Sequence, residues 1–396
     1  MSLTGNLEKQ IRRHIIGQSL DFYAVTPPGM ASQCARELAA LPEPIEVEGV
    51  ETGGVNFHGR LTALYQANLR VRTASRFLLR LARFKATNFR QLTKQCGAVP
   101  WAWHLPPGVV PACKVTARQS RLYHSQAIAE HVGKAITAYW RAQEALPMET
   151  PAQTLYLRLD HDLVTLSLDS SGDHLYRRGL KTHGGQAPLR ENLAAAILGL
   201  AGYDPAHPLL DPMCGAGTFA LEAALWAKGI PPGSYRSFAF MHWPCFRPKQ
   251  WQYIKIKANN ELKRLPKPSI YAADLDEEAC HRLAACVARH QLDDAVVVRQ
   301  GDFFDLTPPP GEAGHPPSTG LIVLNPPYGL RLAPGDRLEA FYRRLGRKLA
   351  ADFIGWQVAL IVPNPRLIGT QPYPTRSIPL RHGGLAVSLL IGRVGH

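Results

Sequence analysis

The sequence predicts an α/β chain in which a basic α+β region precedes a mostly parallel sheet covered by helices. Three observations predict it. Beyond Arg190 short apolar runs alternate with helical patterns, the rhythm of parallel strands joined by crossovers. Each of four such runs ends in a polar loop motif, and residues 52–129 hold twelve Lys and Arg without one Asp or Glu. At 396 residues the chain suits two or three domains of ~100 to 200 residues each. We expect an N-terminal region over residues 1–60, a second over 61–168 and a third over 169–396.

In the first part, Asp21-Phe22-Tyr23-Ala24-Val25 reads as a strand stopped by the turn Pro27-Pro28-Gly29. A helix over 31–41 and a strand at Gly54-Val55-Asn56-Phe57 follow. Leu61, Leu64, Tyr65 and Leu69 then share one helical face, whereas Phe77-Leu78-Leu79-Arg80-Leu81 fits either type. Lys114-Val115-Thr116-Ala117 is a strand and 125–138 a helix. Thr154-Leu155-Tyr156-Leu157-Arg158-Leu159 and Leu163-Val164-Thr165-Leu166-Ser167-Leu168 form a hairpin across Asp160-His161.

In the second part, Leu209-Leu210 leads into Asp211-Pro212-Met213-Cys214-Gly215-Ala216-Gly217-Thr218 and a helix carrying Leu221, Ala224 and Leu225. Ile270-Tyr271-Ala272-Ala273 leads to Asp274, and Ala295-Val296-Val297-Val298 to Gln300-Gly301-Asp302. Leu321-Ile322-Val323-Leu324 leads to Asn325-Pro326-Pro327-Tyr328. Val358-Ala359-Leu360-Ile361-Val362 is the next strand, and residues 386–391 are one arm of a closing antiparallel pair. Residues 308–318, rich in Pro and Gly, are a surface loop.

Charge and cysteine usage narrow the class. The net charge is +14, and the acid-free segment concentrates it. Cations without local counterions fit an external polyanion, and Phe89, Trp101, Trp103, Tyr123 and His124 interleave aromatic surface among them. The expected RNA-facing set is Arg70, Arg72, Arg76, Arg118, Arg121 and Tyr123. A solvated basic face is the plainer alternative. The seven cysteines include no Cys-x-x-Cys, which points to free thiols in a reducing cytoplasm and to no structural zinc. Residues 1–21 lack the apolar core of a signal peptide, and no apolar run approaches membrane-spanning length. Neither a membrane, a metal nor an obligate protein partner is expected.

In an open parallel sheet ligands bind beyond the carboxyl ends of the strands, where all four motifs fall. The turn Asp211, Pro212, Cys214, Gly215, Gly217, Thr218 lets backbone approach a ligand and offers helix N–H groups to its polar end. The third glycine of a dinucleotide fingerprint and the Lys-Ser/Thr of a phosphate loop are both missing. Asp274 is placed for two ribose hydroxyls, while Asp276 reads as a helix N-cap. Asp302 accepts from an adenine amine with Phe303 on the ring. Carboxyl, ribose and adenine in sequence describe S-adenosylmethionine.

At the fourth end, Asn325 and the carbonyl of Pro326 accept from one planar NH2 group, Pro327 stops the strand, and Tyr328 stacks on the ring bearing the amine. Catalysis of methyl transfer is mainly alignment, so no strong base is needed. A base in a duplex has to be flipped out first. A strand-terminating turn is the structural alternative for this motif, and a base amine and a glutamine amide fit it equally.

Taken together, these pieces resemble the THUMP-domain RNA methyltransferases, and within them the bacterial 23S ribosomal RNA guanine-N2 type. The resemblance is carried by Asn68-Leu69-Arg70-Val71-Arg72-Thr73-Ala74-Ser75-Arg76, Asp169-Ser170-Ser171-Gly172, Leu175-Tyr176-Arg177-Arg178-Gly179 and Ala187-Pro188-Leu189-Arg190-Glu191-Asn192-Leu193-Ala194, with the Asp211 and Asn325 motifs. It implies a ferredoxin-like and THUMP RNA-binding region before a Rossmann-like methyltransferase domain, S-adenosylmethionine as donor and N2-methylguanosine as product. Tyr176-Arg177 stands where the family usually has His or Lys before Arg-Gly, and Lys181-Thr182-His183 where a shorter basic run is common. A second methyltransferase domain is absent from the sequence, so one activity is expected. Related tRNA guanine methylases share the layout, often with Asp in place of Asn325. Transfer RNA, protein glutamine, DNA adenine N6 and a catalytically inactive RNA-binding assembly factor remain the competing readings.

Overall fold

The computed structural model describes residues 3–146, 149–181, 189–309, 319–326, 336–369 and 375–395. It divides into two compact units. The first comprises Met1–Pro27, Cys34–Leu175 and Arg236–Lys257; the second comprises Pro28–Gln33, Tyr176–Tyr235 and Ala258–His396.

The first unit is built from α1 (Leu3–His14), β1 (Leu20–Val25), α2 (Ala31–Ala39), β2 (Ile45–Glu51), β3 (Gly54–Gly59), α3 (Leu61–Arg70), β4 (Arg76–Lys85), α4 (Phe89–Gly97), β5 (Ala112–Arg118), α5 (Ser125–Ala142), β6 (Thr154–Asp160) and β7 (Leu163–Asp169). Its seven strands form one sheet in the order β2-β3-β1-β4-β7-β6-β5. Only β5 and β6 pair in parallel, joined through α5; the other neighbours are antiparallel. The ambiguous run at Phe77 is strand, because β4 pairs with β1 on one side and β7 on the other. The hairpin turns one residue later than expected. His161 and Asp162 take φ of 51° and 62°, leaving Asp160 paired with Leu163.

Two of the sequence motifs close on each other inside this unit. Asn68 Nδ2 donates to Ser170 Oγ at 3.0 Å, and Ser171 Oγ donates to Asn68 Oδ1 at 2.6 Å. Ser171 Oγ also accepts from the Phe77 N–H at 2.8 Å. Arg76 pairs with buried Asp169, whose carboxyl burial pushes up to about 6 although the guanidinium pulls it down. Asn68, Ser170, Ser171, Arg76 and Asp169 each have a polar partner, which is what permits their burial.

The second unit contains α6 (Glu191–Leu200), β8 (Leu209–Asp211), α7 (Thr218–Ala227), the end of α8 (Pro248–Asn260), β9 (Ile270–Asp274), α9 (Glu277–Arg289), β10 (Val296–Gln300), β11 (Leu321–Leu324), α10 (Asp336–Asp352), β12 (Gln357–Val362), β13 (Thr375–His382) and β14 (Leu385–Arg393). Strand order is β10-β9-β8-β11-β12-β14-β13. The first five strands are parallel, and the last two close the sheet antiparallel. β8 and β11 are buried throughout, so they read as continuous apolar runs. Chain direction across the sheet reverses between these two neighbours. A crevice therefore opens at their carboxyl ends, where Asp211 and Asn325 sit side by side in strand order.

Helix α7, which starts at that crevice, is held by a buried ion pair. Arg178 Nε meets Glu222 Oε1 at 2.9 Å and its Nη2 meets Oε2 at 3.2 Å, with both side chains no more than 2% exposed. Removing one partner strands the other charge in a dry site. We expect Arg178→Ala to lower unfolding free energy by about 3 to 5 kcal/mol in urea titration. The double variant with Glu222→Ala should recover part of that loss.

Candidate active site at the strand ends

A cavity of about 1010 Å³ opens at the carboxyl ends of β8, β9 and β11, lined among others by Asp211, Gly215, Asp274, Asp302, Asn325 and Pro326. After β8 the chain turns through Gly215 (φ +48°) and Gly217 (φ +68°), the latter capping α7. A Cβ at Gly217 would lie 2.3 Å from Leu283 Cδ1 on α9, so both backbone angle and space call for glycine. Thr218 opens α7, and its Oγ1 accepts from Lys181 Nζ at 2.7 Å. Pro212 and Cys214 line the same wall; burial and the nearby carboxylates push the Cys214 thiol up.

Asp274 binds the turn to the neighbouring strand. Its Oδ2 accepts from the Gly215 N–H at 2.7 Å and its Oδ1 from the Asp276 N–H at 3.0 Å. A carboxylate has about four acceptor positions, so each oxygen keeps one for a ligand hydroxyl. Asp276 caps α9, accepting from the Glu278 and Ala279 N–H groups at 3.0 and 3.2 Å. Asp302 Oδ1 accepts from the Phe304 N–H at 2.9 Å.

Phe303 is 1% exposed and packs with Phe353 and Phe304, touching the cavity as part of its wall. The more open ring is Phe304, with the Arg344 guanidinium 3.8 Å above its centre and Phe341 edge-on at 5.9 Å. Sequence reading named Lys181 only as part of an unusual basic run, and missed Phe304 and Arg344. Phe304 stood next to a residue already singled out, but Arg344 comes from a helix whose inward face no motif marks.

Among the described residues, two oxygens in this cavity are buried without a partner, Asp211 Oδ2 and Asn325 Oδ1. Such atoms cost about 1 to 3 kcal/mol each unless a ligand supplies donors. They converge from adjacent strand ends. Burial, reinforced by Asp274, pushes the Asp211 carboxyl up to about 8, against the opposing pull of the Ala220 N–H and Lys181. Pro326 is buried beside Asn325, while Pro327 and Tyr328 lie outside the described residues.

The expected RNA-facing residues divide. Arg118, Arg121 and Tyr123 are exposed, Tyr123 by 78%; the Arg121 backbone N–H donates to Asp162 Oδ1 at 2.7 Å, and its guanidinium stands 3.8 Å from Oδ2. Arg70 is half-buried and donates to Gln66 at 2.9 Å. Half-buried Arg72 lies beside the half-buried Glu37 carboxylate, which accepts its backbone N–H at 3.0 Å. Arg76 needs correcting: at 5% exposure, paired with Asp169, its guanidinium is turned into the unit and away from any phosphate. Several cations of the acid-free segment thus find partners outside it, as Arg80 does over the Tyr23 ring at 4.5 Å.

Three family models match successive parts of the chain. Residues 21–78 match the RlmL ferredoxin-like domain, 86–169 the THUMP domain and 178–369 the RMKL-like methyltransferase domain. An RNA methyltransferase candidate of Synechocystis sp., slr0064, is 31% identical over 93% of this chain and 95% of its own length. The chain belongs to the THUMP-domain RNA methyltransferase family. Within that family the ribosomal RNA large subunit methyltransferase K/L of Syntrophotalea carbinolica is 36% identical over 88% of this chain, which spans 50% of that relative's length. Among solved structures, SMU.472, a methyltransferase candidate complexed with SAH, superposes with a TM-score of 0.84 at 26% identity. That match covers 96% of this chain and 99% of that one.

The Asp211 carboxyl has a consequence for this family member's stability. Its ordinary value is 3.8 and its folded value about 8, so between them the folded state keeps a proton that the unfolded chain has lost. Stability contributed by this group is full below about pH 4 and is lost as pH rises towards about 8. We expect ligand-free Asp211→Asn to gain stability over the parent as pH rises through that window, by at most about 1.4 kcal/mol per pH unit. Thermal melts at several pH values check this, and a constant difference would contradict it.

Proposed function

We propose that this protein transfers a methyl group from S-adenosylmethionine to the exocyclic N2 amine of a guanine in 23S ribosomal RNA, in the cytoplasm. The observation that carries the reading is the buried, unpartnered Asn325 Oδ1 at the crevice between β8 and β11, in the same cavity as Asp211, Asp274 and Asp302. S-adenosylmethionine supplies an electrophilic methyl on a sulfonium. The residues present fit it: Asp211 offers its free oxygen to the ammonium, the Gly215–Gly217 turn and α7 N–H groups face the carboxylate, and Asp274 takes the ribose hydroxyls. Asp302 accepts from the adenine amine.

Guanine N2 is a weak nucleophile because its lone pair is delocalised into the ring. Asn325 Oδ1 and the Pro326 carbonyl accept its two hydrogens and so turn the lone pair toward the methyl. With S-adenosylmethionine bound, the N–C bond would form as the S–C bond broke, the electron pair remaining on sulfur and N2 releasing a proton to water. An amide is enough, because orientation and not proton abstraction is the requirement. The resemblance to large-subunit ribosomal RNA methyltransferases and the match to a THUMP domain favour ribosomal RNA over a protein amide or duplex DNA.

Asn325→Ala should lower methyl transfer by about 100-fold or more. The Kd for S-adenosylhomocysteine, read by calorimetry, should change only a few-fold, and retained turnover would remove the proposed site. Replacing Arg118 and Arg121 with Gln should flatten the dependence of log RNA affinity on log salt by about 1.4, as two lost phosphate contacts require.

A further inference from the structure

Helix α8 presents a face that the site and the acid-free segment leave unexplained. Its inner side is fixed: Trp251 is 7% exposed and meets Phe240, Phe238 and Tyr65 edge-on, with ring centroids 5.4, 5.8 and 6.2 Å away. Ile254 and Ala258 are buried along the same side. Lys249, Gln252, Tyr253, Ile256 and Lys257 lie on the other side, all exposed, with Tyr253 at 58% and Ile256 at 49%. Lys257 Nζ stands 4.9 Å from the centre of the Tyr253 ring.

The charge pattern separates this helix from its counterparts. On α9, Arg282 pairs with Asp276 and Glu278; on α10, Arg343 pairs with Glu339 and Lys348 with Asp352. Residues 248–260 contain no Asp or Glu, and among the described residues Lys249, on the exposed side, enters no ion pair. A solvated lysine face is ordinary, but one flanking an exposed aromatic ring on a rigid helix matches one kind of partner well.

We propose that this face of α8 is a docking surface for single-stranded RNA, with a base stacked on Tyr253 and backbone phosphates against Lys249 and Lys257. Those two lysines stand two helical turns, about 12 Å, apart along the axis on either side of the ring. Every base has a π-face, so such stacking needs no sequence match, and a cation beside the ring strengthens it. A membrane surface fits less well, because an interfacial helix turns its main apolar stripe outward and α8 buries that stripe under Trp251. The inference rests on the RNA reading and extends it to residues outside the acid-free segment.

The test uses the full chain and a fluorescently labelled oligoadenylate of about 16 nucleotides. Tyr253→Ala should weaken binding about tenfold. The double variant Lys249→Gln/Lys257→Gln should flatten the log affinity against log salt slope by about 1.4. S-adenosylhomocysteine affinity should stay unchanged in both, showing that they fold. Photocrosslinking of the parent should place RNA on the peptide containing Tyr253. If Arg118→Gln/Arg121→Gln weakens binding while the α8 variants match the parent and no crosslink forms there, the α8 surface is wrong and the RNA reading stands. A parent that binds no RNA overturns both. Loss of binding to phosphatidylserine vesicles in the α8 variants, with RNA binding intact, would assign the face to membrane and also overturn the proposal.

Discussion

The hydrogen bond from the Gly215 N–H to Asp274 Oδ2, at 2.7 Å, is the contact on which the rest of the second unit's site depends. A bond to an ionised acceptor is about twice as strong as a neutral one, and this one ties the turn after β8 to the end of β9. With the turn held there, Gly215 and Gly217 take positive φ and α7 starts at Thr218. Glu222, four residues further on, then meets Arg178 inside the core, and Lys181 reaches Thr218. One carboxylate therefore sets a strand end, a helix start and the position of a buried ion pair. It still keeps acceptor positions facing the cavity.

Around that fixed frame the site leaves Asp211 Oδ2 and Asn325 Oδ1 unsatisfied. In the first unit, by contrast, the buried Asn68, Ser170 and Ser171 side chains satisfy one another. The contrast is physical. A closed network stabilises the fold it belongs to, whereas oxygens left without donors at a topological switch point favour a ligand that carries them. Apolar packing of β8, β11 and β12 offsets the cost.

Much of the second unit was legible because parallel strands buried on both faces leave continuous apolar runs that stop at Asp, Gly or Asn-Pro. The first unit was harder. Phe77-Leu78-Leu79 carries no period that separates strand from helix, and only pairing with β1 and β7 decides it. Strand β2 alternates Ile45, Glu46, Val47, Glu48 and could have been read; helix α4 is capped by Asn88, whose side chain accepts from the Gln91 N–H at 3.0 Å. Arg76 was legible as a cation but not as a buried one, since Asp169 lies 93 residues away in sequence. Phe304 and Arg344 meet only after α10 packs, so no local pattern could join them.

In the proposed reaction the crevice between β8 and β11 presents an S-adenosylmethionine methyl to guanine N2. The most direct measurement is nucleoside mass spectrometry of unmodified 23S RNA incubated with the purified full chain and methyl-labelled S-adenosylmethionine. The label is expected in N2-methylguanosine. Label in N6-methyladenosine, or none in RNA with labelled glutamine in a protein substrate instead, would contradict it.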